Sequence, residues 1–309
     1  MDLPEDRANV PPAERAGAGG RPVLRFAPSP NGELHLGHAL SVLLTWEMAA
    51  RLRGEALLRI EDIDTARTRP EHVAGILADL AWLGLAWPEP VVRQSQRFAA
   101  YRAAADRLAA MGVLYPCFAT RSEIEAAADP AARDPDGAPV YPGLWRGRRG
   151  AEAAARTARG EPFALRLDME RALTLARQKL GGGALAFTEL DAGGQGRRVV
   201  CEPARWGDAV LVRKDTPTSY HLAVVVDDAW QGVSHVTRGA DLFAATDLHR
   251  LLQVLLELPE PVYAHHRLVT DGAGRKLAKS ARDTSLRSLR EQGASPADIR
   301  RMVGWGGPD

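Results

Sequence analysis

Cysteine is scarce in this sequence: Cys117 and Cys201 are the only two in 309 residues, and they lie far apart along the chain. That count argues against a disulfide scaffold and fits a reducing compartment. An excess of charge of one sign is also missing, with 40 Lys and Arg against 39 Asp and Glu and a net charge of +1. No global field draws such a chain onto nucleic acid, so contact with RNA has to come from local patches. Two patches are candidates, Arg146, Arg148 and Arg149 in "LWRGRRG" and the pair Arg197 and Arg198, although either alone reads equally as solvated surface arginine. No run approaches the roughly eighteen apolar residues that a membrane span needs. The opening stretch "MDLPEDRANVPPAERAGAGG" has no apolar core and reads as a frayed tail, not a signal peptide. A cytoplasmic protein without membrane contact is expected.

What is present is a chain 45% hydrophobic, enough for one large α/β domain or two modest ones. In the first third, short apolar runs alternate with helical patterns, the signature of parallel βαβ units. "VLRFA" and "ALLRIED" read as strands. "LGHALSVLLTWEMAARLR" reads as a helix closed by Gly54, and "PEHVAGILADLAWLG" as a helix with proline at its start and Gly84 past its end. "RFAAYRAAADRLAAMG" predicts a further helix leading into the strand "VLYPCF". From about 118 to 204 the pattern loosens into Ala-rich, Pro/Gly-broken sequence, which reads as an insertion. "DAVLVRK" and "YHLAVVVDD" then read as two apolar strands, followed by the helix "ADLFAATDLHRLLQVLLEL", a glycine-flanked basic loop and a short helix. The expected organisation is a disordered tail over 1–21, a first catalytic half over 22–117, an insertion over 118–204, a second half over 205–265, and a basic loop with a short helical segment over 266–309.

Three stretches carry chemistry. In "HLGH", His35 and His38 flank Gly37 at a helix start that follows a strand. Such a start offers free N–H groups and a positive dipole end to a phosphate, and glycine lets a flat ring approach the backbone. A nucleotide is the natural guest, yet the usual P-loop is absent and no nearby ligands complete a zinc site. In "RIEDID", Arg59, Glu61, Asp62 and Asp64 end a strand at the sheet edge where ligands bind, and alternation puts Arg59 and Glu61 on one face, as it does Asp62 and Asp64. A carboxylate there can hold an ammonium group. In "KLAKS", Lys276 and Lys279 sit in a loop loosened by Gly272 and Gly274 and can stabilise charge on a phosphorus under attack.

The three together, in this order around a parallel-sheet pattern, resemble the HIGH and KMSKS signatures of class I aminoacyl-tRNA synthetases. The fuller run "RFAPSPNGELHLGHA" followed by "RIEDIDTARTRPE" is similar to the glutamyl-tRNA synthetase branch, and the resemblance runs from Val23 onward. It implies a Rossmann-like parallel-sheet catalytic domain split by an insertion, with a short helical C-terminal segment. It also implies ATP and L-glutamate as substrates, with Mg2+ on the ATP. In this branch Arg25, Ser29, Glu61, Tyr220 and Arg238 fall on the positions that cradle glutamate, with Phe26, Ala27 and Pro28 between them. His35, Gly37, His38 and Lys279 fall on the ATP positions, and His35, His38, Lys276 and Lys279 on the catalytic ones. Glutamate brings two carboxylates and an ammonium, so arginines and one acid are the suited partners.

Only 29 residues follow Ser280, fewer than the roughly 40 a domain needs to fold unaided. With "YHLAVVVDDAWQGVSHVTRGADL", this layout resembles the glutamyl-queuosine subfamily, whose members attach glutamate to the queuosine base of tRNA(Asp). The resemblance implies tRNA(Asp) carrying queuosine as partner, and a monomer is expected. A compact enzyme charging tRNA(Glu) and a catalytically silent paralogue are the alternatives. Many relatives bind zinc in the insertion through a C-x-C pair, a tyrosine and another cysteine. Here Cys117 and Tyr141 remain while Ala119 and Trp145 replace the other two, so no zinc is expected and Trp145 should pack in its place.

Overall fold

The apolar runs at the start of the chain fold as parallel βαβ units. β1 (Val23–Phe26) leads through a proline turn into α1 (Leu36–Arg51), and β2 (Glu55–Ile60) returns parallel to β1 with Val23 opposite Glu55. A parallel return needs a crossover, which α1 supplies. α2 (Pro70–Trp82) follows with proline at its first turn, and the short β3 (Val92–Arg93) extends the parallel sheet beyond β2. The computed structural model describes residues 20–147, 150–269 and 285–305.

Sequence spacing predicts Gly54 as the residue that stops α1, but Arg53 takes the left-handed conformation instead, at φ 53°. Gly54 serves a different need. The Glu55 N–H donates to the Pro22 carbonyl at 2.8 Å, and a Cβ on Gly54 would stand 2.3 Å from that oxygen.

After α3 (Phe98–Ala110) comes β4 (Leu114–Cys117), and here the parallel series breaks. β4 pairs antiparallel with β5 (Ala164–Leu167), and β8 (Val210–Val212) pairs antiparallel on the other side of β5. As an edge strand β4 tolerates Pro116, which has no N–H to donate to a ladder. Between β4 and β5 lie α4 (Arg121–Ala127) and α5 (Gly150–Ala158), and α6 (Met169–Lys179) follows β5. β6 (Ala186–Leu190) and β7 (Gly196–Val200) form an antiparallel pair, and β6 runs parallel to β10 (Val262–His266). β10 runs parallel to β9 (His235–Gly239). β9 comes alongside β1, where the Ser234 N–H donates to the Val23 carbonyl at 2.9 Å. Strands of the 118–204 span therefore pair with strands on either side of it.

"YHLAVVVDD", read as a strand from its valines, is a helix, α7 (Tyr220–Trp230). Ser219 caps it by accepting from the Leu222 N–H, a strong start signal. Leu222, Ala223, Val224 and Val225 are all buried, so the helix is enclosed round much of its circumference and shows no single apolar stripe. Packing outweighs the β-preference of the valines, which is small. α8 (Ala245–Leu256) begins five residues into the expected helix, after a short 3-10 turn at Ala240–Leu242. It is buried along its whole length and forms one core with α3, α6 and α7.

A second core lies between α1, α2 and the C-terminal helices α9 (Leu286–Glu291) and α10 (Pro296–Met302). Leu286 and Ile299 are fully buried there, each contributing about 1.5–3 kcal/mol. The Leu286 N–H donates to the Leu34 carbonyl at 2.8 Å, and Trp305 Nε1 donates to Glu47 at 2.8 Å. Among the described residues no helix is long and apolar enough to cross a membrane.

Gly54→Ala is expected to lower stability by about 1–3 kcal/mol, because the added carbon meets backbone that cannot swing aside. Urea denaturation checks this, and an unchanged midpoint would contradict it.

Candidate active site

The C-terminal ends of β1, β2 and β9 and the N-terminal ends of α1 and α7 surround one cavity of about 700 Å³. It is lined by Arg25, Phe26, Ala27, Pro28 and Ser29, by His35, Gly37 and His38, and by Glu61, Tyr220 and Arg238. The structure thus brings together the candidate glutamate and ATP residues that it describes. Lys276 and Lys279 lie outside the described residues, as do Arg148 and Arg149 of the basic patch. Arg146 forms a salt bridge with the fully buried Asp208, and Arg198 pairs with Glu260.

His35 is the N-cap of α1, and the two histidines form a reciprocal cap. The Gly37 N–H donates to His35 Nδ1 at 3.0 Å, and the His35 N–H donates to His38 Nδ1 at 3.1 Å. Each Nδ1 is thereby an acceptor, so a neutral ring carries its proton on Nε2 as a donor. Gly37 makes room for the arrangement, since a Cβ there would meet the His35 ring at 2.9 Å. The rings stand 3.9 Å apart, centroid to centroid.

Behind Arg25 and Glu61 of the lining, charge is arranged around Asp228 of α7. Its Oδ1 accepts from Arg25 Nε at 2.9 Å and from Arg59 NH1 at 2.8 Å. Arg59 is wholly buried, and its NH2 donates to Glu61 Oε1 at 3.0 Å. Burial alone would push the Asp228 carboxyl up, but the two guanidiniums reverse this and hold it below its ordinary value. For Glu61 burial wins, and its pKa is raised despite Arg59 and Arg25. The neighbouring Asp227 faces the other way and accepts from Arg97 Nε at 2.7 Å, Tyr101 Oη at 2.7 Å and Gln94 Nε2 at 3.0 Å.

Arg238 differs from the other two arginines. Its Nε donates to His265 Nε2 at 3.1 Å, NH1 lies 3.1 Å from His249 Nδ1, and NH2 donates to Thr246 Oγ1 at 2.6 Å. Among the described residues it makes no ion pair. Burial, with help from Arg238, lowers the pKa of His249 and of His221, the latter to about 4.

Asp62 and Asp64 leave the cavity. Asp62 accepts from the Ser95 N–H and hydroxyl, each at 2.8 Å, and Asp64 lies near Arg67 and Arg213. Once the strand ends at Ile60, alternation no longer puts these two on one face. Sequence reasoning missed Asp228, Thr246, His249 and His265, and it gave Arg59 no role of its own. The paired aspartates after an apolar run were the available signal.

In the insertion, Cys117, Ala119, Tyr141 and Trp145 do converge, as one buried cluster. Cys117 Sγ lies 3.4 Å from Tyr141 Oη, that hydroxyl accepts from the Trp145 N–H, and the Trp145 ring packs on Phe118 at 5.1 Å. Two donor side chains do not fit the four-ligand set of a structural zinc. Among the described residues no three His, Cys, Asp or Glu side chains group to hold a metal.

Residues 23–307 match the family described as tRNA synthetases class I (E and Q), catalytic domain. The Glutamyl-Q tRNA(Asp) synthetase of Rhodobacter capsulatus is 47% identical over 290 residues, covering 91% of this chain and 99% of that protein. That of Symbiobacterium thermophilum is 41% identical, covering 89% of this chain and 83% of its own. Among solved structures, a glutamate tRNA ligase from Elizabethkingia meningosepticum in complex with its amino acid superposes with a TM-score of 0.65 at 25% identity. That match covers 89% of this chain and 53% of the ligase.

A pH dependence follows from the buried histidines. Their folded-state pKa values lie below the ordinary 6.5 or so, so as pH falls the unfolded chain takes up protons first. Stability is therefore full above about pH 7 and declines as pH falls below about 6.5, for His221 down to about pH 4, by up to about 1.4 kcal/mol per pH unit for each such histidine. An NMR titration should find the His221 ring neutral until pH falls to about 4. A midpoint near 6.5 would contradict the burial argument.

Proposed function

The chain belongs to the class I glutamyl and glutaminyl tRNA synthetase family, and within it to the glutamyl-Q tRNA(Asp) synthetases; on that premise we propose that it activates L-glutamate with ATP and transfers it to queuosine in the anticodon loop of tRNA(Asp). The observation that carries the reading is one cavity with two ends. One holds a helix start with two capping histidines, and the other holds guanidiniums and a carboxylate. The acceptor comes from the names of the relatives, which at 39–47% identity are Glutamyl-Q tRNA(Asp) synthetases.

In this reading Glu61 takes the ammonium of glutamate, and Arg25, Ser29, Tyr220 and Arg238 take its carboxylates and fix its orientation. The α-carboxylate attacks the α-phosphorus of ATP in line, pyrophosphate leaves, and glutamyl-adenylate forms. Nε2–H groups of His35 and His38 donate to phosphoryl oxygens at the α1 start, while Lys276 and Lys279 neutralise developing charge. Mg2+ accompanies the ATP phosphates. A hydroxyl of the queuosine cyclopentene ring then attacks the mixed anhydride and AMP leaves. No protein nucleophile is needed, since positioning and charge neutralisation supply the rate. The enzyme acts as a cytoplasmic monomer, without zinc.

The test is transfer of labelled glutamate, with ATP, onto tRNA(Asp) with and without queuosine and onto tRNA(Glu). Label on queuosine-containing tRNA(Asp) alone is expected. Label on tRNA(Glu) would instead make this a conventional charging enzyme, and no label on any RNA would remove the transferase reading.

A further inference from the structure

The hydrogen-bond directions around Arg238 fix the state of its neighbours. A guanidinium has donors and no acceptor, so both His265 Nε2 and His249 Nδ1 must offer it lone pairs. The protons of these rings then sit on their other nitrogens. His265 Nδ1 donates to Glu189 Oε2 at 2.8 Å, and His249 Nε2 donates to His221 Nδ1 at 3.1 Å. Both rings are neutral as a matter of geometry. A proton on either accepting nitrogen would turn an acceptor into a donor facing a donor, beside a like charge.

The contrast with the other arginines gives this arrangement its meaning. Arg25 and Arg59 converge on Asp228, and Arg59 also holds Glu61, so two guanidiniums are matched by two carboxylates. Arg238, only 5% exposed, is held just as firmly, but by acceptors without charge: two imidazoles, a threonine hydroxyl, and the face of Tyr263 with its ring centroid 5.3 Å away. Three of its donors are engaged this way, and Arg238 also lines the cavity. Among the described residues Arg238 thus has no carboxylate in direct contact, and Glu189, the nearest along its hydrogen bonds, stands behind the His265 ring. Free glutamate carries one net negative charge, and glutamine carries none.

We propose that His249, His265 and Thr246 are positioning residues that present Arg238 as a fixed cation with no carboxylate in direct contact, and so set the preference for a side chain ending in carboxylate over one ending in carboxamide. The inference rests on the amino-acid reading of this cavity. It assigns these three residues a role in specificity without contact with substrate, since none of them lines the cavity. A carboxylate in place of His249 would hold Arg238 equally well and cancel its charge. A neutral acceptor such as a carboxamide would keep both the grip and the charge. The charged and titratable groups facing His249 are His221 and Tyr220 of α7, Arg238 of β9, His265 of β10 and Arg25 of β1.

The experiment is amino-acid-dependent pyrophosphate exchange, with glutamate and with glutamine, for the wild type, His249→Glu, His249→Gln and Thr246→Val. For His249→Glu the glutamate KM is expected to rise by at least about tenfold, with kcat and the ATP KM changing far less and the glutamate-to-glutamine preference narrowing by a similar factor. His249→Gln should recover most of that loss, which a merely structural role for the ring would not explain. Thr246→Val, losing one acceptor, should raise the glutamate KM several-fold, and it carries the test if His249→Glu does not fold. An unchanged glutamate KM and preference in a folded variant of either kind overturns the proposal. Absence of glutamate-dependent exchange in the wild type would instead overturn the amino-acid reading on which it rests.

Discussion

A single carboxylate, that of Asp228, stands between two buried guanidiniums, and the proposed amino-acid end of the cavity depends on it. Arg25 comes from β1, Arg59 from β2 and Asp228 from α7, so one side chain ties the opening βαβ unit to a helix that enters about 160 residues later. Taking such charges out of water costs several kcal/mol for each ion, and the arrangement holds only while every partner is present. Through Arg59 the constraint passes to Glu61, whose position at the end of β2 is thereby fixed. What α7 adds on its other side is equally buried: Asp227 gathers Gln94, Arg97 and Tyr101, locking the same helix against α3.

Arg25 and Arg59 are thus paired directly with carboxylates, and Arg238 is not. The difference lies in what the neighbouring elements offer. α7 and the end of β2 bring carboxylates, whereas α8 and β10 bring imidazoles and a hydroxyl. Electrostatic recognition in a buried cavity is strong because the partners are already oriented and little water competes. In the proposed reading the phosphate end uses other means, namely a helix start and two rings whose tautomers are set by the cap they form.

Much of this was legible in the sequence. The helix beginning at Leu36, the strand beginning near Ala56 and the proline-led helix from Pro70 all follow from period and from proline at a helix start. The order of "HLGH", "RIEDID" and "KLAKS" gave the cavity its family resemblance. What could not be read was long-range. The valines of "YHLAVVVDD" favour a strand locally, and only enclosure by α3, α8 and β8 makes them a helix. That misreading hid Asp228, since on a strand nothing would point it at Arg25 and Arg59. Likewise Gly54 reads as a helix stop, while its true constraint is the carbonyl of Pro22, more than thirty residues earlier. Asp62 and Asp64 looked like part of the site because alternation was carried past the end of the strand.

The claim that Asp228 organises the amino-acid end is tested most directly by titrating Asp228→Asn calorimetrically with glutamate and, separately, with ATP. The account predicts a folded but less stable protein, weakened by about 3–5 kcal/mol because two buried guanidiniums lose their shared anion. It also predicts glutamate affinity down by at least about tenfold while ATP affinity is kept. Wild-type stability with wild-type glutamate affinity would show that the shared carboxylate is dispensable, and would contradict the account at its centre.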